Sequence, residues 1–512
     1  MSILDKSSLV MIPSGYKEDV LYSVKPRNGE GDFQFTRAST GTRVNADGYI
    51  EEVPWNLLTY SEELTNTWSR TNATVTSGQS GYDGTNNAWL FDVSVAGGNL
   101  RKNISVIGVN NFSIYAKKGT ANGVRIRFDQ NTDTNVYIDL TDGSIFTSAN
   151  TLSVNVDSIG NGWYKINFSF EAVGLILFRI YTTDGTTTTT TGSIFLQSPQ
   201  LVKGTTTKTY FPTTDRLDVP RLDYSGGATT PTLLLEGQRT NYIAYSEDYT
   251  SGTWNTSNTT ITPNSIIAPS GLNVGSLITA NGTNPRLTYN VGVGTGSFVF
   301  SWFAKKGTSS YLKIRVYDGS TNHEAIFDLE TGTLTSGNGI IEPYENDWYR
   351  CSLIYTSNGY THFTQTWISN TSSGNLYLWG SQLEQGSFPT SYIPTSGSTV
   401  TRTADVCNNA GTSATFNSTE GVLFAEIAAL ANDGRIALND GTANNNVRLV
   451  YNSSLNRIEG VVYNGANQAF LNYTLPLVNS FYKIAFKYKA SDFSLYVNGL
   501  EVDNQIGSGV TF

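Results

Sequence analysis

Acid–base and nucleophilic chemistry usually recruits histidine, and this chain has only two, His323 and His362. His323 lies in the turn-rich stretch Asp318-Gly319-Ser320-Thr321-Asn322-His323-Glu324, and a related stretch earlier in the chain, near Thr134 and Asn135, has no histidine. His362 likewise falls opposite Leu177. Surface or packing roles are therefore favoured for both over catalysis. No cysteine–histidine cluster has zinc spacing, and no glycine loop followed by Lys-Ser/Thr offers a phosphate cradle. Glycoside hydrolysis needs only two carboxylates about 5–9 Å apart. Glu324 and Asp328 are candidates for such a pair, though neither sits in a distinctive motif. Asp129-Gln130-Asn131-Thr132-Asp133 offers oxygen ligands for calcium, a composition that solvated turns share. No catalytic residue, metal or cofactor is assigned, and the chain is read as a non-enzyme.

Aromatic residues make the stronger functional case, because flat rings stack on sugars while amides and guanidinium groups bond hydroxyls. Each tryptophan must first be weighed as core. Trp302 alternates with Phe298 and Phe300 and is assigned to the core. Trp163 and Trp348 open matching strands, where packing is favoured. Trp68 and Trp254 lie among Thr, Ser, Asn and Arg, in loop-like sequence where an exposed ring is as reasonable as a buried one. Trp367 and Trp379 stand opposite Thr182 and Gln197, so they either mark a site that the earlier stretch lacks or fill its core. Arg125/Arg127 and Lys313/Arg315 point outward from their strands. They could bind acidic sugar groups or simply form a solvated face. These residues, Trp68, Trp254, Trp367, Trp379, Arg125, Arg127, Lys313 and Arg315, form the candidate carbohydrate-contacting set.

The scaffold that must position them is legible in the composition. Only 15% of the 512 residues are charged, against about 25% in a typical domain. Aromatics make up 12%, and 49 glycines accompany long stretches of Thr, Ser and Asn. That mixture suits many short strands joined by turns, so an all-β chain of about three domains is expected. The net charge of −9 without basic clusters argues against nucleic-acid binding. Cys351 and Cys407 are expected to be free thiols. Residues 1–20 carry Asp5, Lys6, Lys17, Glu18 and Asp19 and form no signal-peptide core. No run reaches the roughly 18 apolar residues of a membrane helix, so synthesis in a reducing cytoplasm without membrane insertion is expected.

The chain repeats itself. Asn56-Leu57-Leu58-Thr59-Tyr60-Ser61-Glu62-Glu63 returns as Asn241-Tyr242-Ile243-Ala244-Tyr245-Ser246-Glu247-Asp248. Phe112-Ser113-Ile114-Tyr115-Ala116-Lys117-Lys118-Gly119 returns as Phe300-Ser301-Trp302-Phe303-Ala304-Lys305-Lys306-Gly307. Trp163-Tyr164-Lys165 matches Trp348-Tyr349-Arg350. Gln200-Leu201 with Tyr210-Phe211-Pro212-Thr213 matches Gln382-Leu383 with Tyr392-Ile393-Pro394-Thr395. The anchors keep one order at offsets of 182 to 189 positions, which two copies of one module explain. Val124-Arg125-Ile126-Arg127-Phe128 and Leu312-Lys313-Ile314-Arg315-Val316 alternate as half-buried strands do, so antiparallel β-sandwiches of jelly-roll type are expected. The resulting division is an arm at 1–34, jelly rolls at 35–213 and 214–396, and a third sandwich at 397–512. The arm is read as docking elsewhere. In the last piece, strand runs are expected at Val422–Leu430, Val447–Tyr451, Arg457–Tyr463, Tyr482–Tyr488 and Phe493–Val497, with an Asn498-Gly499 turn. These leave its sheet unfinished, to be completed by a neighbouring chain or by further sequence.

Phe35-Thr36-Arg37-Ala38-Ser39, Asn56-Leu57-Leu58, Ala116-Lys117-Lys118-Gly119, Trp163-Tyr164-Lys165 and the stretch from Gln382 to Thr395 resemble tandem carbohydrate-binding-like jelly rolls of bacteriophage virion proteins. The most specific part runs on to Thr401-Arg402-Thr403-Ala404-Asp405. Residues 403–512, with Tyr482-Lys483-Ile484-Ala485-Phe486 and Leu495-Tyr496-Val497-Asn498-Gly499, resemble a concanavalin A/laminin G-like sandwich, although the piece is short for that pattern. The opening from Ser2 to Pro26 resembles N-termini of virion appendage proteins in phages of gut Bacteroidota, including crAss-like phages. The resemblance implies a head, collar or tail fibre component, made in the host cytoplasm and ending in the virion. It also implies a homo-oligomer, commonly a trimer. Neighbouring chains would then supply missing strands, the arm would engage capsid, portal, collar or tail proteins, and the modules would adhere to bacterial surface glycan. A ligand-free structural spacer and a glycan hydrolase stand as alternatives, because fold alone does not set function.

Overall fold

The structure is a computed structural model that describes residues 3–428, 433–477 and 480–511. Among these residues the only helices are the single turn Ile3–Lys6 and the 3₁₀ turn Ser225–Gly227; everything else regular is strand. No described helix is long and apolar enough to cross a membrane.

The second copy forms two six-stranded antiparallel sheets. The first runs Trp254–Ser257, Arg286–Gly292, Thr361–Trp367, Tyr311–Tyr317, Asn322–Asp328 and Thr333–Gly337 across the sheet. The other runs Thr259–Ile266, Gly275–Ala280, Asn375–Gln385, Thr295–Lys306, Trp348–Asn358 and Gly339–Tyr344. Their inner faces enclose one core with Trp302, Leu312, Ile314, Phe300 and Leu353 at its centre. The first copy has the same plan with one difference. Two long strands, Asn99–Lys118 and Trp163–Thr183, pass from one sheet into the other and join them as a single ten-stranded sheet. The strands bend at Gly108 (φ +76°) and Gly174 (φ +118°), positions that a side chain strains. A rosette of Phe112, Phe128, Phe168 and Phe178 fills the core beneath, with ring centroids 4.8–5.9 Å apart. The tandem all-β sandwich architecture expected from sequence is thus present.

The repeated anchors are buried polar clasps. The Asn56 amide donates to the Phe211 carbonyl (3.1 Å), and its oxygen accepts from the Leu58 and Leu201 N–H groups (3.0 and 3.2 Å). Asn241 repeats this with the Ile393 carbonyl and the Ile243 and Leu383 N–H groups, at 2.9, 3.1 and 3.1 Å. Gln200 and Gln382 each accept from the residue before the proline, Phe211 (3.0 Å) and Ile393 (2.7 Å). Each clasp ties the start of a module to its end, and a buried amide tolerates no unpaired atoms.

The third unit is a smaller sandwich of two four-stranded sheets. One sheet orders Glu420–Ala428, Phe481–Lys489, Asp492–Val497 and Leu500–Ile506; the other orders Gly434–Asn439, Asn445–Asn452, Arg457–Asn464 and Asn467–Thr474. Gly434–Asn439, Asn467–Thr474 and Leu500–Ile506, which the sequence reading lacks, bring the strand count to eight. Asn498 (φ +51°) and Gly499 (φ +84°) form the expected hairpin turn. Ala429 and Leu430, at the end of the first expected strand, lie outside the described residues.

The early residues fold onto this chain. Tyr16–Lys17, Val20–Leu21 and Phe33–Thr36 form a small sheet with Val406–Asn408 from the far side of the second copy. Val400–Arg402 pairs with Arg239–Asn241, so residues 397–408 belong to this junction and the third sandwich begins at Glu420. The hairpin Gly41–Val44/Ile50–Val53 plugs the outer face of the second copy with Val44 and Ile50, against Phe303, Trp379 and Tyr392.

At the centre of this junction lies a buried ion network. Arg37 reaches Asp405 (2.9 Å), Arg221 binds both Asp405 and Glu236, and Arg402 reaches Glu236 (2.8 Å). All five side chains are at most 3% exposed. The Ser391 hydroxyl bridges Arg221, Arg402 and Glu236 at 2.6–2.7 Å. Further guanidinium N–H groups go to the carbonyls of Ser39, Thr42 and Gly237, while Arg37 Nη2, Arg221 Nε and Arg402 Nε are buried without a hydrogen-bond partner. Burial alone would raise the Glu236 carboxyl, but Arg221, Arg402 and the Ser391 hydrogen bonds hold it down at about 2.

Glu236→Gln leaves two buried guanidinium groups short of a counter-charge and is expected to cost about 3–5 kcal/mol, read as a lower first transition in chemical denaturation. In the native protein, Glu236 contributes its full stabilisation above the ordinary glutamate pKa of about 4.3. Because the folded value is depressed, that contribution is lost as pH falls toward 2. The acid transition of the Gln variant is therefore expected to be shallower across that window.

Candidate functional site

The candidate residues divide sharply in space. Trp68 and Trp254 are 3% and 5% exposed and sit in the two cores. Each indole N–H donates to the backbone carbonyl of the tyrosine in the repeated Tyr-Ser-Glu segment, Tyr60 (3.0 Å) and Tyr245 (2.9 Å). Of exposure and burial, which the sequence left equally open, burial holds, and their place in the carbohydrate-contacting set is corrected: Trp68 packs on Phe178 and Trp254 on Tyr249, Tyr289 and Trp302, leaving no face for a sugar. Trp379, 2% exposed, packs against Phe303 and Tyr392 beneath the 41–53 hairpin, so it fills a junction and is not a surface site.

Lys313, Arg315 and Trp367 come together. Tyr311–Tyr317 pairs with Thr361–Trp367, placing Lys313 directly across from Trp367 and Arg315 across from Gln365. On the other flank Arg286 stands across from Trp367. All are on the solvent side of the sheet, since Leu312, Ile314 and Val316 point to the core. The half-buried indole therefore has three cations around it, Arg315 at 4.6 Å, Lys313 at 5.0 Å and Arg286 at 5.9 Å from the ring centroid. The Arg315 Nε donates to Gln365 Oε1 (2.8 Å), and Lys313 pairs with Glu324 (2.7 Å). The face combines a flat ring, an amide, a carboxylate and three cations.

The same face of the first copy holds Arg125 and Arg127. Arg125 lies across from Tyr137 and Tyr181 and over both rings, at 5.1 and 5.0 Å. Since Lys313 and Arg125 are matching positions, the counterpart of Trp367 is Tyr181, which corrects the alignment to Thr182. Arg127 pairs with Asp129 and Asp133, and Arg179 pairs with Asp129 (2.9 Å). The carboxylates read as possible calcium ligands are thus bound to arginine. Among the described residues, no group of three or more His, Cys, Asp or Glu is arranged around a metal position. Glu324 and Asp328 share one strand four residues apart, roughly 13 Å along it, too far for the carboxylate pair of a glycosidase.

Sequence reasoning missed one cluster. Both histidines converge with Asp318, Tyr355 and Ser357 at one end of the second copy. His323 Nε2 meets Asp318 (3.1 Å), and His362 meets the Tyr355 hydroxyl through Nδ1 (2.8 Å) and Ser357 through Nε2 (2.7 Å). The Ser357 hydroxyl donates to the Gly294 carbonyl (3.0 Å), so its proton is spent and His362 Nε2–H must be the donor to it. Nδ1 then accepts from Tyr355. This is a fully buried neutral imidazole with both nitrogens engaged, a structural clasp in which Ser357 has no base to activate it. The available signal was that both histidines occur in one copy alone.

No family model matches the chain, and no curated protein matches it. Solved structures that align over much of it include vicilins and a 7S globulin. Vicilin from Corylus avellana (hazelnut) is 8% identical over 70% of this chain and 87% of that one, with a TM-score of 0.12. Momordica charantia 7S globulin is 11% identical over 69% and 83%, with a TM-score of 0.12. Superpositions this poor bear on neither fold nor function.

Burial, with repulsion from His323 and against attraction from Asp318, holds the His362 imidazole below its ordinary pKa. Its stabilisation is therefore complete above the unfolded value of about 6.5 and is lost as pH falls through the folded value. Urea denaturation at pH 7.5 and 5.5 is expected to show a drop on acidification that His362→Gln diminishes.

Proposed function

We propose that this chain is a bacteriophage virion appendage protein, a head, collar or tail fibre component, whose second sandwich adheres to host surface glycan. The observation that carries the adhesive part is the half-buried Trp367 on an outward sheet face, ringed by Lys313, Arg315 and Arg286 with Gln365 and Glu324 alongside. Rings of this kind supply apolar area to a sugar face while amide and charged groups meet its hydroxyls. The virion assignment rests on the motif resemblance. With it come a homotrimer, contact with capsid, portal, collar or tail proteins through the surface that residues 1–34 present once folded onto this chain, and a final location in the virion.

A second reading, a spacer with no ligand, is favoured by the tryptophans. Seven of the nine (Trp68, Trp89, Trp163, Trp254, Trp302, Trp348 and Trp379) are buried and serve packing. The two readings separate in one assay. Purified oligomer is expected to bind host cells and to lose at least about tenfold in affinity on Trp367→Ala. Lack of binding to host cells and to extracted host polysaccharide would leave the spacer.

A further inference from the structure

Resting on the glycan reading, we infer that the two copies have diverged in role: the second alone receives ligand, and that ligand is an acidic sugar chain bearing carboxylate or another anionic group. Matching positions make the case. Where the first copy has Arg179 across from Arg127, the second has Gln365 across from Arg315. Where the first copy has Asp129, bound to Arg127 and Arg179, the second has the uncharged Tyr317. Asp129 and Asp133 thus pair Arg127 and Arg179 from within, Arg125 is held by Asn135, and Arg101, across from Arg179, has no ion pair among the described residues. What the first face lacks is an open ring at the place of Trp367, since Tyr181 is 5% exposed beneath Arg125.

In the second copy the three cations around Trp367 have one carboxylate among them, Glu324, which is 2.7 Å from Lys313 and 3.8 Å from Arg315. Arg286 has no ion-pair partner among the described residues. Its Nη1 donates to the Asn284 carbonyl (3.3 Å), and its buried Nε has no hydrogen-bond partner. Lysine and arginine are donors only, so the group that meets them must be rich in acceptors. This positive cluster lies on a chain of net charge −9, where repulsion elsewhere would steer an anion toward it. An anionic sugar satisfies both halves of the face: its apolar ring atoms meet the half-buried indole, and its acid group reaches Arg286.

The test titrates the full-length oligomer with a panel of acidic polysaccharides (polygalacturonate, alginate, hyaluronan and extracted host capsule). Each is paired with its carboxyl-reduced, neutral derivative. Binding of at least one acidic member is expected, weakening with added salt, with at least about a tenfold loss on carboxyl reduction. Arg286→Gln and Trp367→Ala should each weaken it while leaving the melting temperature unchanged, and Arg127→Gln in the first copy should not weaken it. Equal binding of reduced and acidic chains would overturn the acidic assignment and leave the glycan reading standing. Binding lost in Arg127→Gln and kept in Arg286→Gln would overturn the division between copies. Failure of every acidic and neutral chain would overturn both. Tighter binding of single-stranded oligonucleotide than of any sugar would replace the ligand class altogether.

Discussion

Five buried charges hold the molecule's parts in one arrangement. Arg37, Arg221 and Arg402 come from three linkers far apart in the chain, and each ends on Asp405 or Glu236. Desolvating so many ions gives little net stability. What the network does instead is select: a guanidinium fork meets a carboxylate in few geometries, so a misplaced linker would strand a charge in the interior. Apolar contacts alone, such as Val44 and Ile50 against Trp379, would tolerate sliding. Ion pairs beside them do not. The junction therefore specifies how the first 53 residues, the second sandwich and the strand Val406–Asn408 meet, and the sheet faces inherit their directions from it.

Inside each sandwich the same logic recurs on a smaller scale. Asn56 and Asn241 each satisfy three backbone groups that no strand partner reaches. Ser61 and Ser246 each accept from a threonine N–H, of Thr213 (3.0 Å) and Thr395 (2.9 Å), closing the module's end onto its start. These residues cannot drift without orphaning buried donors. That is why they persist as recognisable anchors between copies whose cores have been freely repacked, with Trp302 in one where Ile114 stands in the other.

This explains what could be read from the sequence and what could not. The repeat was legible because its anchors are local runs under hydrogen-bond constraint. The strands were legible because Val124–Phe128 and Leu312–Val316 alternate cleanly. The network was not, since its five members are scattered from position 37 to 405 and a lone arginine carries no sign of burial. Burial of Trp68 and Trp254 was equally hidden, because exposed polar flanks do not reveal that the ring between them turns into the core. The strand Gly434–Asn439, largely exposed, offers little apolar alternation to detect. Of the candidate face, Lys313, Arg315 and Trp367 were each identified singly. Their union depends on strand register, which sequence fixes only to within a residue. One residue also separates Tyr181 from Thr182, and in a strand that is the difference between opposite faces.

Duplication gave this chain two sheets of one design, and the surroundings then distinguish them. Over the other sheet of the second copy, the 41–53 hairpin covers Phe303 and Trp379, whereas the matching positions in the first copy, Tyr115 and Gln197, are capped by that copy's own Tyr82 loop. A face covered by another segment can become fully apolar; one met by a local loop and water keeps its polar atoms. The outward faces diverge by the same reasoning applied to charge. In the first copy Asp129 and Asp133 engage Arg127, Asp129 engages Arg179, and the ring that matches Trp367, Tyr181, is buried beneath Arg125. In the second copy Tyr317 and Gln365 stand in place of Asp129 and Arg179, and Arg286 has no ion pair among the described residues beside a half-buried Trp367. Cations kept beside a half-buried indole, on a sheet whose twin has buried the matching ring, are the asymmetry that a binding role explains and a purely structural role does not require.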